Sequence, residues 1–180
     1  MIKSHREYKQ YVQADLKAYG LQRLTLVDYL RIDQMRFQLR LRRLEYLTNC
    51  QHWRLLSRVL LEVMNHRLAV RLGFTIPKNV FGPGLCLVHR GTIVVSPQAK
   101  VGANCRMHPS TSIGDYNGAP TLGDNVYIGP GAKLYGPITL GNNVAVGANA
   151  VVNKSFPDNS ILGGIPARML SDKGTDSILN

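Results

Sequence analysis

The sequence predicts an α+β chain in which an N-terminal helical segment is followed by a triangular parallel β-helix, and three observations carry that expectation. Residues 4–73 hold one internal Gly, Gly20, before the closing Gly73, no Pro, and apolar positions at mixed three- and four-residue spacings, which is helix patterning. At Phe74 the composition changes abruptly to Gly, Pro, Asn and Val/Ile/Leu. Beyond that point the period is six, neither the 2 of a strand nor the 3.6 of a helix.

Three helices are expected in the first part: Ser4 to Tyr19, Thr25 to Thr48 and Gln51 to Leu72. Ser4 with Glu7 can form a capping box, and Gly20 and Gly73 are natural helix stops. In the third helix Leu55, Val59, Leu60, Val63, Leu68 and Leu72 read as a core-facing stripe. The arginines Arg40, Arg42 and Arg43, with Trp53, fit either a solvated face or a surface for an anionic acceptor.

In the second part, aliphatic residues recur without a slip at Leu122, Ile128, Leu134, Leu140, Val146 and Val152. Four positions after each stand Val126, Ala132, Ile138, Val144, Ala150 and Phe156, and Gly123, Gly129, Gly141 and Gly147 directly follow four of the leading residues. Val95, Val101, Met107 and Ile113 keep the same spacing earlier. Phe81, Leu87 and Ile93 open the series, with slips at Ile93 to Val95 and at Asp115 to Thr121. A six-residue beat is a short flat strand plus a turn. Three such units close a triangular coil of roughly 18 residues, and coils stack at about the 4.8 Å strand spacing so that aliphatic ladders fill the prism. Phe81 to Phe156 supplies about four coils on this reading. Gly and Asn at the corners serve turns with unusual backbone angles.

The chain therefore divides into residues 1–73, helical; 74–163, the prism; and 164–180, a closing segment and tail. At 180 residues one compact core plus an appendage is expected. Met1 to Arg6 lacks the apolar run of a secretory signal and no stretch approaches the roughly 18 apolar residues of a membrane span, so a cytoplasmic protein is expected. Cys50, Cys86 and Cys105 fit neither a disulfide framework nor a paired metal site. Of the net charge of +11, residues 1–73 contribute +8, from 14 Lys/Arg against 6 Asp/Glu. A basic surplus attracts polyanions, and the basic helices allow peripheral membrane contact, but no nucleic-acid motif accompanies them.

The repeat from Phe81 to Phe156, followed by Gly164-Ile165-Pro166-Ala167-Arg168, resembles the hexapeptide-repeat acyltransferases. Ile76-Pro77, Gly82-Pro83-Gly84, His89 and Gly91-Thr92-Ile93-Val94-Val95, behind an all-helical segment, look like the serine acetyltransferase branch of that family. The resemblance covers roughly residues 74–170. It implies a left-handed parallel β-helix of hexapeptide repeats, a homotrimer, and acetyl-coenzyme A in clefts between neighbouring prisms, with no metal. It also implies His89 as general base, and Gly114, Gly129, Pro130, Gly147, Ala148, Lys154 and Arg168 as cofactor contacts. The candidate substrate contacts are His108, one coil beyond His89, and Asp115, Tyr116 and Asn117.

Three departures bear on the acceptor. Val88 stands where that branch carries an Asp before the catalytic His. Phe74 replaces the Asp that orients the His, and the loop Asp115 to Thr121 is short and lacks the family's Arg and His. On these grounds the resemblance moves towards O-acetyltransferases of bacterial capsular and exopolysaccharides, with a sugar hydroxyl as acceptor. Serine acetylation for cysteine biosynthesis is the alternative, followed by a non-catalytic or metal-binding scaffold. The chemistry needs a base for the hydroxyl proton, and an imidazole, with an ordinary pKa near 6.5, contributes roughly 10²–10⁴-fold in that role. Cys86 and Cys105 read as small core residues rather than nucleophiles.

Overall fold

The computed structural model describes residues 1–175. Four helices precede the strands: α1 (His5–Ala18), α2 (Leu26–Arg31), α3 (Asp33–Cys50) and α4 (Leu55–Leu72). The second expected helix is broken at Ile32, whose ψ of 85° ends α2 and opens α3 without any Gly or Pro to announce it. Ser4 caps α1 by accepting from the Glu7 amide at 3.1 Å, while the Glu7 carboxylate takes the Lys3 amide rather than that of Ser4. The full reciprocal box occurs at Thr25 and Asp28. Gly73 ends α4 with a φ of 79°, a left-handed angle that glycine adopts without a Cβ clash.

The α4 stripe requires correction. Leu68 and Leu72 are buried, but Leu55, Val59, Leu60 and Val63 are 45–63% exposed. The helix carries apolar residues on two opposite sides. Leu61, Asn65, Leu68 and Leu72 point at the protein, whereas Leu55, Val59 and Val63 form a second three-and-four-spaced row that faces out.

From Phe74 the chain winds through five coils, each contributing in turn to three flat faces. Coil one is β1 (Phe74–Thr75), a bridge at Phe81 and β2 (Cys86–Leu87). Coil two is β3 (Ile93–Val95), β4 (Lys100–Val101) and β5 (Arg106–Met107). Coil three is β6 (Thr111–Gly114), β7 (Thr121–Leu122) and β8 (Tyr127–Ile128). Coil four is β9 (Lys133–Tyr135), β10 (Thr139–Leu140) and β11 (Ala145–Val146). Coil five is β12 (Val151–Val152), a bridge at Phe156 and β13 (Ile161–Gly163). Face I is β1-β3-β6-β9-β12, face II holds β4-β7-β10, and face III runs β2-β5-β8-β11-β13. All neighbours pair parallel except β14 (Arg168–Ser171), which runs antiparallel against β13. The fold is a left-handed parallel β-helix.

The count exceeds the expected four coils because the prism begins at Phe74, paired with Ile93, and ends at Gly163. Ile93 and Val95 both point inward on β3, at 0% and 2% exposure, so the first slip in the six-residue beat is one longer strand with two core residues. The second slip is the loop after β6, at the corner between faces I and II.

Inside, Leu87, Met107, Ile128, Val146 and Leu162 form one ladder at 0% exposure, and Ile113, Leu134 and Val152 another at 0–1%. Burying each such side chain stabilises by about 1.5–3 kcal/mol. At the corner between faces II and III, Asn104, Asn125, Asn143 and Asn159 hold φ between 56° and 62°. Their side-chain amides donate from each to the next at 2.9, 2.9 and 3.0 Å. Asn tolerates this backbone region and its amide can both donate and accept. Asn125→Leu is therefore expected to destabilise by about 1–3 kcal/mol, from backbone strain plus two lost bonds. Asn125→Gly, which keeps the angle, should lose less, and urea unfolding midpoints of the two variants check the difference.

The helices close the open end of coil one. Arg42 on α3 is fully buried and donates to Asp15 at 2.8 Å, to Glu45 at 3.0 Å, and to the carbonyls of Phe81 and Gly82 at 2.9 and 2.6 Å. Asp15 on α1 in turn accepts from the amides of Gly84 and Leu85 at 2.8 and 3.0 Å. Gln38 and Tyr19 donate to the carbonyls of Leu85 and Leu87. The edge strand β2 thus finds side-chain partners where no further coil exists. Arg42 is neither solvated nor available to an acceptor. Arg40 donates to the Met64 carbonyl, and Arg43 lies over the rings of Tyr8 and Tyr46. No helix among the described residues is long and apolar enough to cross a membrane.

Candidate active site

His89 follows β2 at the corner where face III turns into face I. The parallel register sets its neighbours. Leu87, Met107 and Ile128 are partners across β2, β5 and β8, and Val146 continues the row in β11. The ladder runs one residue further, since the amides of Val88, His108, Gly129 and Gly147 donate to the carbonyls of Met107, Ile128, Val146 and Leu162 at 2.8–3.1 Å. Val88, His108, Gly129 and Gly147 consequently form one row across the outer surface of face III. His89, Pro109, Pro130 and Ala148 form the next, at the corner. The structure brings six of the sequence-predicted residues, His89, His108, Gly129, Pro130, Gly147 and Ala148, onto this one edge.

His89 is exposed, and its ring lies edge-on to His108 with centroids 6.3 Å apart. His108 also packs on Tyr127 at 5.1 Å. Burial, then Arg106 and then His89, hold the His108 imidazole below its ordinary pKa, so at neutral pH it is uncharged and can act as donor or acceptor. No carboxylate among the described residues hydrogen-bonds the His89 ring. Phe74, at the position where an orienting Asp would stand, is core, 5% exposed and edge-on to Phe37 at 5.3 Å. Arg90, next to His89, is tied to Asp33 of α3 at 2.8 Å.

The other predicted residues lie elsewhere in the chain. Gly114 ends β6, with Asp115, Tyr116 and Asn117 following at the corner between faces I and II. Asp115 accepts from Ser96 Oγ at 2.5 Å, and Tyr116 is 70% exposed. Lys154 sits at that same corner after β12, its Nζ 5.4 Å from the Phe156 ring centroid. A full strand of face I separates these groups from His89, so within one chain Asp115 cannot orient its imidazole. Arg168 opens β14 beside Gly163, at the far end of face III. The segment before it closes the last coil: the Val151 amide donates to Gly164 O at 3.0 Å and the Ala167 amide to Val151 O at 2.8 Å.

Two of the glycines are explained by packing alone. A Cβ on Gly129 would stand 2.8 Å from the Val146 carbonyl oxygen, and one on Gly147 2.9 Å from that of Leu162, so the stacked coils require glycine there. At Gly114 a Cβ would meet only ordinary contacts, at 3.9 Å or more. Burial pushes both the Cys86 and the Cys105 thiol up in pKa, which suits packing rather than nucleophilic chemistry. Among the described residues no group of three His, Cys, Asp or Glu side chains could hold a metal ion.

Residues that the sequence did not single out lie on the side of face III that carries His108. Arg106 and Tyr127 share a row with Cys86 on face III. Lys17 of α1 and Tyr19, which caps that helix, line a groove of about 470 Å³ together with Cys86, Val88 and Arg106. Outward strand positions read as solvated in a repeat, so only the two-residue spacing of Arg106 from His108 marked it.

Residues 119–154 match the model of the bacterial transferase hexapeptide family, six repeats. A serine acetyltransferase from Mycobacterium tuberculosis is 33% identical over 99 residues, 52% of this chain and 43% of that protein. One from Synechococcus elongatus is 31% identical over 131 residues, 68% of this chain and 54% of that protein. The chain thus spans about half the length of these curated relatives. A serine acetyltransferase solved in complex with CoA superposes with a TM-score of 0.74 at 22% identity, covering 92% of this chain and 71% of that one. The chain carries bacterial transferase hexapeptide repeats on a left-handed parallel β-helix and is similar in sequence and fold to serine acetyltransferases.

Proposed function

We propose that the protein is an acetyl-coenzyme A-dependent O-acetyltransferase acting on L-serine, with His89 as general base in a direct transfer from a ternary complex. The observation that carries this reading is the single edge on which His89 and His108 stand beside the Gly129-Pro130 and Gly147-Ala148 corners. The serine acetyltransferase relatives and the CoA-bound neighbour supply the donor and the acceptor. The carbohydrate acceptor expected from Val88, Phe74 and the short loop has no support in these relatives and gives way to serine.

The reaction follows in balanced steps. The hydroxyl oxygen attacks the thioester carbonyl as its proton passes to the His89 imidazole, and the tetrahedral oxyanion collapses with cleavage of the C–S bond. The leaving thiolate then recovers the proton from the imidazolium, yielding CoA and the O-acetyl ester. Gly129, Pro130, Gly147 and Ala148 would approach the coenzyme through backbone, with Arg168 near its phosphates. Gly114, Asp115 to Asn117 and Lys154 lie on the other edge of face I. Their contribution therefore needs a neighbouring copy whose face I–II corner meets the face III–I corner of the first, as in a trimer. The exposed row on α4, with Val94 and Tyr135 on face I at 42% and 38%, gives such copies apolar surface to bury.

The test is incubation of the purified protein with acetyl-coenzyme A and L-serine, following thiol release and the mass of the acceptor. Serine-dependent CoA release with a one-acetyl mass gain is expected. Thiol release that is indifferent to serine would sink the acceptor assignment.

A further inference from the structure

We propose that Lys17 and Arg106 form a subsite for the carboxylate of the acceptor, so that this protein selects hydroxyl-bearing carboxylates over neutral alcohols; the inference rests on the acetyltransferase reading above. Both cations line the groove that includes Val88, the residue before His89. Arg106 lies on the outer surface of face III, and strand alternation puts His108 on the same side, about 6.6 Å along the strand. The charge of Arg106 reaches His108, where it contributes to the lowered pKa. An anion held by Arg106 is therefore one small-molecule length from the paired imidazoles. Lys17 meets it from the last turn of α1.

Neither cation has a carboxylate partner among the described residues. The ion pairs present are Arg36 and Arg90 with Asp33, Arg42 with Asp15 and Glu45, and Lys78 with Glu62. Asp15, the carboxylate whose charge reaches Tyr19 and Cys86 in the groove wall, is spent on Arg42 and two backbone amides. Two like charges facing one groove repel, and a bound anion offsets both. Arg106 is also suited in shape, because its planar fork meets a carboxylate with two parallel hydrogen bonds. The groove walls of Val88, Tyr19 and Cys86 offer no anion of their own to an ammonium, in keeping with selection through the acid group. The family's loop Arg and His are missing from Asp115 to Thr121, and these two cations supply the lost charge from different elements.

Steady-state kinetics on the full chain test the assignment, with acetyl-coenzyme A as donor and two acceptor pairs: L-serine against its methyl ester, and D-glycerate against glycerol. The wild-type protein should use the acids and turn over the ester and glycerol poorly. Arg106→Gln should raise KM for L-serine about 10- to 100-fold, the loss of a charge-assisted bond, while kcat and the KM for acetyl-coenzyme A change by less than about threefold. Arg106→Lys should recover part of the loss, and turnover of the methyl ester should not respond to either substitution. Equal use of acid and ester by the wild type would overturn the subsite. So would a rise confined to the KM for acetyl-coenzyme A, which would place a coenzyme phosphate on these cations. Acetyl transfer to the neutral alcohols alone would remove the inference and leave the acetyltransferase standing. Absence of transfer to every acceptor would remove the acetyltransferase itself, and the subsite with it.

Discussion

Replacing His89 with alanine is expected to lower kcat/KM for serine acetylation by about 10²- to 10⁴-fold, the usual contribution of a positioned general base. The fall should appear mainly in kcat, because the proton moves only as the hydroxyl attacks. Stability should hardly change. His89 is exposed, its ring makes no hydrogen bond among the described residues, and its corner is fixed by the amides of Val88 and Gly91, which donate to Met107 O and Leu72 O. His108→Ala offers the informative contrast. His108 is half-buried between His89 and Tyr127, so its removal leaves a gap beneath the base and should cost both activity and some stability. If His89→Ala retained full transfer while His108→Ala abolished it, the base would be His108, whose depressed pKa keeps it neutral to lower pH. Rate measurements on both variants, with thermal melts alongside, separate these outcomes.

The prism was legible because its physics repeats. Every sixth residue turns inward, so five coils write the same aliphatic letter again and again, and Asn104, Asn125, Asn143 and Asn159 write the corner. The site was legible only in part. A position in the beat tells which side of the coil a residue takes, and this was enough to align His89 with His108. The edge on which each cofactor residue falls depends on counting faces through the long β3 and the loop after β6, where the beat slips. Gly114 and Lys154 therefore separated from Gly129 and Gly147. The helices were harder. Leu55, Val59 and Val63 keep core spacing, and nothing in a three-and-four pattern says which of two apolar sides meets the protein. Ile32 breaks a helix through its backbone angle alone. Lys17 and Arg106 stand 89 positions apart, and only the packing of α1 over β2 makes them neighbours.

Arg42→Met is expected to destabilise the protein by about 3–5 kcal/mol, because it leaves Asp15 and Glu45 buried with their charges uncompensated. The Asp15 and Glu45 side chains are 3% and 2% exposed, and the carbonyls of Phe81 and Gly82 lose their donor as well. Solvent cannot replace the guanidinium without opening the junction between α1, α3 and coil one. The triple variant Arg42→Met, Asp15→Asn, Glu45→Gln should regain part of the loss, since neutral amides tolerate burial better than lone carboxylates. It should not regain all of it, because Asp15 also accepts from the Gly84 and Leu85 amides and Glu45 from the Asn79 amide at 2.7 Å. Urea unfolding of the single and triple variants measures both numbers. A single-variant loss under about 1 kcal/mol would mean that the carboxylates reach water in the folded state, against the burial of this triad. The same junction fixes α1 over β2, and so sets where Lys17 stands relative to Arg106. In the single variant, a rise in KM for serine below the unfolding transition would be the functional trace of that loosening, with the His89 corner itself untouched.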